Sequence, residues 1–239
     1  MKNFIRSLAV GGCFVMTRFV GRLISTPLIG ATFAWLSFGA AVAPLAGFYG
    51  GTIGAVGAGL FTLIIATLLH GSLSLASLAL YVPGMVGGLF FANSSQANSS
   101  QANSLHVNFL QSIQSYSISS RLVQSLFFIA CMVIFWINPV GQQAFLYPLL
   151  WLAPLILVLL NQQSLFTRAF VSAFAVHAVG ACWWLYTMPM APGLWHSMMP
   201  LVVVERLVQA LLMVAVVKVV EKVSSLAAFR QVVARLSFQ

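Results

Sequence analysis

Apolar residues run along this chain in long uncharged blocks separated by short polar joints. Leu23–Leu69 carries no charge over about 47 residues, too long for one membrane span and right for two. Pro44 and the glycines after it mark the expected joint, which gives spans over Leu23–Ala43 and Ala46–Leu69. His70–Ser74 is a polar joint, and Leu75–Ala92 predicts a third span with Pro83-Gly84 inside it. Leu122–Ile137 predicts a fourth and Ala144–Leu160 a fifth, with a turn at Asn138-Pro139 and Gly141 between them. Ala169–Thr187 predicts a sixth. Pro192–Val223 closes the series, with about 21 residues between His196 and Lys218, enough to cross a hydrocarbon core of ~30 Å.

One stretch breaks the pattern. Asn93–Ser104 reads NSSQANSSQANS, a tandem five-residue unit with no apolar face. It cannot build a core and reads as a flexible loop, continued by a surface segment to residue 120. The N-x-S triplets in it follow from the repeat and are not read as glycosylation sites.

The expected fold class is therefore all-α, a polytopic transmembrane helical bundle over residues 23–223, with a basic amphipathic segment over 1–22 and a basic tail over 224–239. No small-residue cleavage site follows the apolar stretch Ser7–Thr17, so 1–22 is expected to lie at the cytoplasmic interface. Lys2, Arg6, Arg18 and Arg22 argue for a cytoplasmic N-terminus. Lys218, Lys222, Arg230 and Arg235 argue the same for the C-terminus. Two termini on one side need an even number of crossings, yet the apolar runs number seven. Six full spans are expected, with one run re-entrant. The Leu122–Leu160 hairpin or the Gly-rich second run would be that one. Seven spans with a weaker charge bias is the alternative.

Composition sharpens this. Of 239 residues, 61% are hydrophobic and 5% charged, with mean hydropathy +1.00, whereas a soluble domain carries roughly 25% charged residues. Lipid must be the solvent. The net charge of +9 comes from eleven Lys and Arg, mostly at the ends of apolar runs, so it flags cytoplasmic flanks rather than a nucleic-acid surface. Cys13, Cys131 and Cys182 sit singly in apolar contexts and are expected to be inert.

Candidate chemistry follows from scarcity. The chain has two acidic residues, Glu205 and Glu221, and no Asp. Glu205 and Arg206 fall near the middle of the last run, where ionisable groups face a cavity, a partner or a substrate path. Adjacent helical residues point about 100° apart, so each is expected to need its own partner, while both share a stripe with Gln209. On the preceding run Ala173, His177, Ala181 and Trp184 share a face, which places His177 and Trp184 beside Glu205. Trp195 lies in the connection between the two runs. Glu205, Arg206, Gln209, His177, Trp184 and Trp195 form the expected substrate-binding set. Gly50 and Gly54 have GxxxG spacing, and with Gly30, Ala31 and Ala34 they offer small-residue faces for a membrane partner or for internal packing.

No enzyme is expected. Carboxylate-rich transferases and aspartyl intramembrane proteases need Asp, no rhomboid-like GxSG element occurs, and no P-loop is present. Four scattered His lack metal-ligand spacing, so no metal or other cofactor is expected.

Two stretches resemble the substrate-binding S components of energy-coupling-factor (ECF) transporters. One is PLAGFYGGTIGAVGAGLFTLI (Pro44–Ile64). The other is the final span, with Pro200 before it and Glu205 in its first turns, ending in basic residues. The resemblance covers about half the chain. It implies a multi-pass protein of a bacterial inner (plasma) membrane that captures a small molecule such as a vitamin. It also implies docking of a transmembrane partner subunit against the first span at Gly30, Ala31 and Ala34, with ATPases supplying the energy. The competing expectation is a non-catalytic scaffold or assembly subunit whose buried charges pair with a partner's helix.

Overall fold

The computed structural model describes residues 25–27, 35–70, 75–92, 118–162 and 164–225. The described chain is helical except for one short ladder. Strand β1 (Ser25–Pro27) pairs antiparallel with β2 (Trp35–Ser37), with Thr26 opposite Leu36. The expected first span over Leu23–Ala43 is therefore not one helix. Pro27 has no amide hydrogen to give a helix, and it biases Thr26, already β-branched, toward extended backbone. Gly30, Ala31 and Ala34 lie outside the described residues, as do the segment 1–22, most of the loop 93–120 and the tail after 225.

Helix α1 (Phe38–His70) is broken at Gly51, whose φ of 62° and ψ of −158° are reached without steric cost only by glycine. In a straight helix residues 46 and 54 would lie about 12 Å apart. Here a side chain at Gly54 would strike the Ala46 carbonyl, so the chain folds back at Gly51. This corrects the joint expected at Pro44. A proline removes one helical hydrogen bond and bends the axis, and Pro44 stays inside the helix. The fold-back lies at Gly51, the described residue of α1 with a positive φ.

Helix α2 (Leu75–Ala92) packs along α1 so closely that any Cβ on Gly47 would meet the Gly88 backbone, and one on Gly59 would press on Met85. The small-residue spacing of these helices is used here for internal packing. Gly50 is buried within the chain, and Gly54 faces its own helix.

Helix α3 (Ile118–Ile137) ends at Asn138, whose side-chain oxygen accepts from the Val140 amide at 2.9 Å and starts the one-turn helix α4 (Pro139–Gln143). A 3-10 segment, Tyr147–Trp151, leads into α5 (Leu152–Leu159). The stretch Tyr147–Leu159 is about 20 Å long at 1.5 Å per residue, short of a ~30 Å hydrocarbon core. Helices α6 (Leu165–Thr187) and α7 (Pro192–Ser225) complete the bundle.

Cross-helix contacts fix directions. The Cys182 thiol reaches the Cys131 carbonyl at 3.4 Å, and the Tyr186 hydroxyl donates to the Ile134 carbonyl at 2.9 Å, so α3 and α6 run parallel. Helix α7 runs against α6, since Arg206 meets Ala173 while Met213 and Val217 pack with Ala169. Ser172 Oγ donates to the Gly87 carbonyl at 2.7 Å and holds α2 against α6, also antiparallel. One end of the bundle thus collects Arg121, Arg168, Lys218 and Lys222. Arg168 lies over the rings of Phe48 and Phe91, and Lys218 pairs with Glu221 at 3.2 Å. Among the described residues the remaining cation, Arg206, is in the interior.

Three of these helices, over Ser120–Ile137, Leu165–Thr187 and Pro192–Lys222, are long and apolar enough to cross a membrane. Leu122, Val123, Leu126 and Ile137 on α3 and Leu211 and Val219 on α7 face outward, as lipid-bathed positions would.

Two outcomes are expected. Gly47→Leu, whose side chain would meet the Gly88 backbone and must force the α1–α2 seam apart, should lower stability by about 1–3 kcal/mol or more in a detergent unfolding assay, whereas Gly193→Ala, in open space, should change it little. Mild oxidation of the purified protein should yield a disulfide-linked Cys131–Cys182 peptide pair by mass spectrometry, because parallel α3 and α6 hold the two thiols at one level.

Candidate functional site

The interior is built from three elements. Helix α7 brings Arg206 and Gln209, both buried, and Glu205, whose side chain is 21% exposed. Helix α6 brings His177 on the face that also carries buried Ala173, Phe174 and Ala181. The broken return stretch brings Tyr147 and Trp151, because the 3-10 turns of that segment set both rings inward under Phe135 of α3.

Glu205 and Arg206 do pair, at 2.7 Å between Nη2 and Oε1. This corrects the expectation that adjacent helical residues point too far apart to neutralise each other. The 100° between their Cβ directions is real, but both side chains are long and bend toward one another over it. At membrane depth a lone charge is far costlier than the lost rotamer freedom. Arg206 also donates to the Ala173 carbonyl through Nη1 at 3.5 Å, and Gln209 donates to Glu205 at 3.5 Å, both long contacts. The shared stripe of Glu205, Arg206 and Gln209 is therefore present, as one neutral network.

His177 does not bond to Glu205. Its Nε2 shares a 3.0 Å hydrogen bond with the Tyr147 hydroxyl. Trp195 is 1% exposed and meets Tyr147 edge to face at 4.8 Å and Phe135 at 5.2 Å between centroids. Phe135 stacks on Tyr147 at 5.4 Å and meets Trp151 at 5.8 Å. Trp184 does not join them. It is 46% exposed, three residues beyond Ala181 and so about 60° off that face, near the end of α6. With exposed Tyr186 beside it, it is placed as interfacial aromatics are.

The structure thus forms two groups, one of Glu205, Arg206 and Gln209 on α7, the other of His177 and Trp195 with Phe135, Tyr147 and Trp151. Tyr147 and Trp151 had a sequence signal, since they lie four apart around Pro148 in an apolar run, a spacing that sets both on one helical face. Several polar atoms of this interior have no hydrogen-bond partner among the described residues. They are the indole nitrogens of Trp151 and Trp195, Nε of Arg206 and Nε2 of His196. A second unpartnered pair, Gln124 and Ser125, lies toward the basic end of α3. No group of three or more His, Cys, Asp or Glu among the described residues could hold a metal ion.

Two substitutions separate the pair from its parts. Arg206→Met alone strands a half-buried carboxylate and should cost about 3 kcal/mol, whereas Glu205→Gln/Arg206→Met keeps the interior neutral and should melt close to the parent. Tyr147→Phe removes one hydrogen bond without a cavity and should cost about 1 kcal/mol, measured by denaturant unfolding in detergent.

No protein-family model, curated protein or solved structure matches the chain, so the functional reading starts from these side chains alone.

Proposed function

We propose that this chain is the substrate-capture subunit of an uptake system in a bacterial inner membrane, binding a small molecule such as a vitamin and working with a separate energising module of a transmembrane subunit and ATPases. One observation carries the reading. An ion-pair network, an aromatic cluster and polar atoms with no partner among the described residues lie in the interior, away from the end that holds Arg121, Arg168, Lys218 and Lys222. Basic flanks are retained on the cytoplasmic side, so the aromatic end of Trp195, Phe135 and Tyr147 faces outward. A site there is reached from outside. Both features fit the resemblance of Pro44–Ile64 and the final span to ECF S components.

Six spans suit this reading, with the glycine-rich run that folds back at Gly51 as the re-entrant one, because the stretch from Asn138 to Ser164 has to return the chain from the far end of α3 to the start of α6. The chain carries no ATP-binding loop, so energy must come from a partner. The scaffold alternative rested on buried charges seeking a partner helix. Glu205 and Arg206 neutralise each other within the chain, which leaves little for such a helix to complete.

The test is binding by the purified full chain. With a panel of vitamins, tryptophan fluorescence should report one ligand at low micromolar Kd or tighter, about −8 kcal/mol. Glu205→Gln/Arg206→Met should weaken that binding at least tenfold while its melting temperature stays near the parent's. No response to any vitamin, together with stable co-purification of a membrane partner lacking ATPases, would establish the scaffold instead.

A further inference from the structure

Sulfur gathers at one level of the bundle. Cys182 Sγ lies 3.4 Å from the Cys131 carbonyl, and one turn on the Tyr186 hydroxyl meets the Ile134 carbonyl, so the two cysteines stand side by side on parallel α3 and α6. Helix α7 brings two methionines to that level. It starts at Pro192, shortly after α6 ends at Thr187, and runs back along α6. Counted from this turn at 1.5 Å per residue, Cys182 lies about 8 Å down α6, and Met198 and Met199 lie about 9–10 Å down α7.

A ring contact gives the same register from a different pair of helices. Phe135 of α3 and Trp195 of α7 meet at 5.2 Å between centroids. Cys131 is one turn before Phe135 and Met199 one turn after Trp195, so each lies one turn inward of the contact, on the face that makes it. Cys131 is 6% exposed, and Cys182, Met198 and Met199 pack against the cluster that holds Cys131, Phe135 and Trp195.

Two cysteines alone fall short of a metal site, but a methionine thioether supplies a third donor. Thiolate and thioether sulfurs together suit Cu(I), whereas Mg and Ca want carboxylate and carbonyl oxygens. Both acidic side chains of the sequence lie elsewhere, Glu205 more than a turn beyond Met199 and paired with Arg206, Glu221 with Lys218. A monovalent ion on a single thiolate is also neutral, which a level buried among apolar side chains requires.

We infer that Cys131, Cys182 and a thioether of Met198 or Met199 bind a soft monovalent cation, Cu(I) or its analogue Ag(I), between α3, α6 and α7. One thiol loses its proton to water as its sulfur bonds the ion. The other thiol and the thioether donate as neutral ligands, and the ion keeps its oxidation state. The site does not rest on the capture reading.

Silver nitrate tests this, titrated by calorimetry in chloride-free buffer into the full chain in detergent. The chain is kept reduced by a phosphine and carries Cys13→Ala, so that the pair holds the remaining thiols. One equivalent should bind and raise the melting temperature, and X-ray absorption at the silver edge should count three sulfur neighbours. Magnesium and zinc should bind far more weakly. Cys182→Ser should weaken silver about a hundredfold, and Met198→Leu/Met199→Leu about tenfold with the free protein melting as the parent does. Two silver ions per chain, fewer than three sulfur neighbours, or zinc binding as tightly as silver overturns the site. So does unchanged affinity in the double methionine variant. If that variant melts below the parent, the sulfur count in the parent decides.

Discussion

The ion pair between Glu205 and Arg206 is the interaction around which this interior is arranged. In a chain with two acidic residues, a carboxylate and a guanidinium at membrane depth must be neutralised close at hand, because neither water nor a distant partner is available. Pairing on neighbouring residues meets that need within one helix. It leaves α3, α6 and the return stretch free to offer Phe135, His177, Tyr147 and Trp151 rather than counter-charges. The network is neutral as a whole.

The bundle reaches that interior through two kinds of close approach. Along α1 and α2 the glycines remove side chains from the seam, so Gly47 and Gly88 bring backbone against backbone. In lipid this dispersion contact replaces the hydrophobic effect, which gives no advantage to apolar surface already in an apolar solvent. Along α2, α3 and α6 the approach is polar. Ser172 bonds the Gly87 carbonyl, Tyr186 the Ile134 carbonyl and Cys182 the Cys131 carbonyl. These bonds set the parallel run of α3 and α6 and thereby the level at which His177 faces Tyr147.

The break between Asn138 and Leu152 has a functional consequence. A regular helix continuing α3 would carry Tyr147 about 18 Å past Phe135. The cap at Asn138, the single turn of α4 and the 3-10 segment instead stack Tyr147 on Phe135 and set Trp151 and Trp195 edge-on to it. Irregular backbone at membrane depth is tolerated where protein covers it, and Tyr147, Pro148 and Trp151 are all buried.

The sequence alone determined what depends on composition and period. It made lipid the solvent, since 5% charge cannot coat a soluble surface, and it placed apolar helices at Leu122–Ile137, Ala169–Thr187 and Pro192–Val223 within a few residues of α3, α6 and α7. It singled out Glu205, Arg206, Gln209, His177 and Trp195, because polar groups in apolar runs are conspicuous. Only tertiary structure decided which of them touch. Side-chain reach, not Cβ direction, joined Glu205 to Arg206. The parallel packing of α3 and α6 gave His177 to Tyr147 and left Trp184 outside. The backbone torsion of Gly51, not the presence of Pro44, decided where the glycine-rich run folds back. A local pattern fixes the solvent a residue prefers, whereas its partners depend on elements far away in the chain.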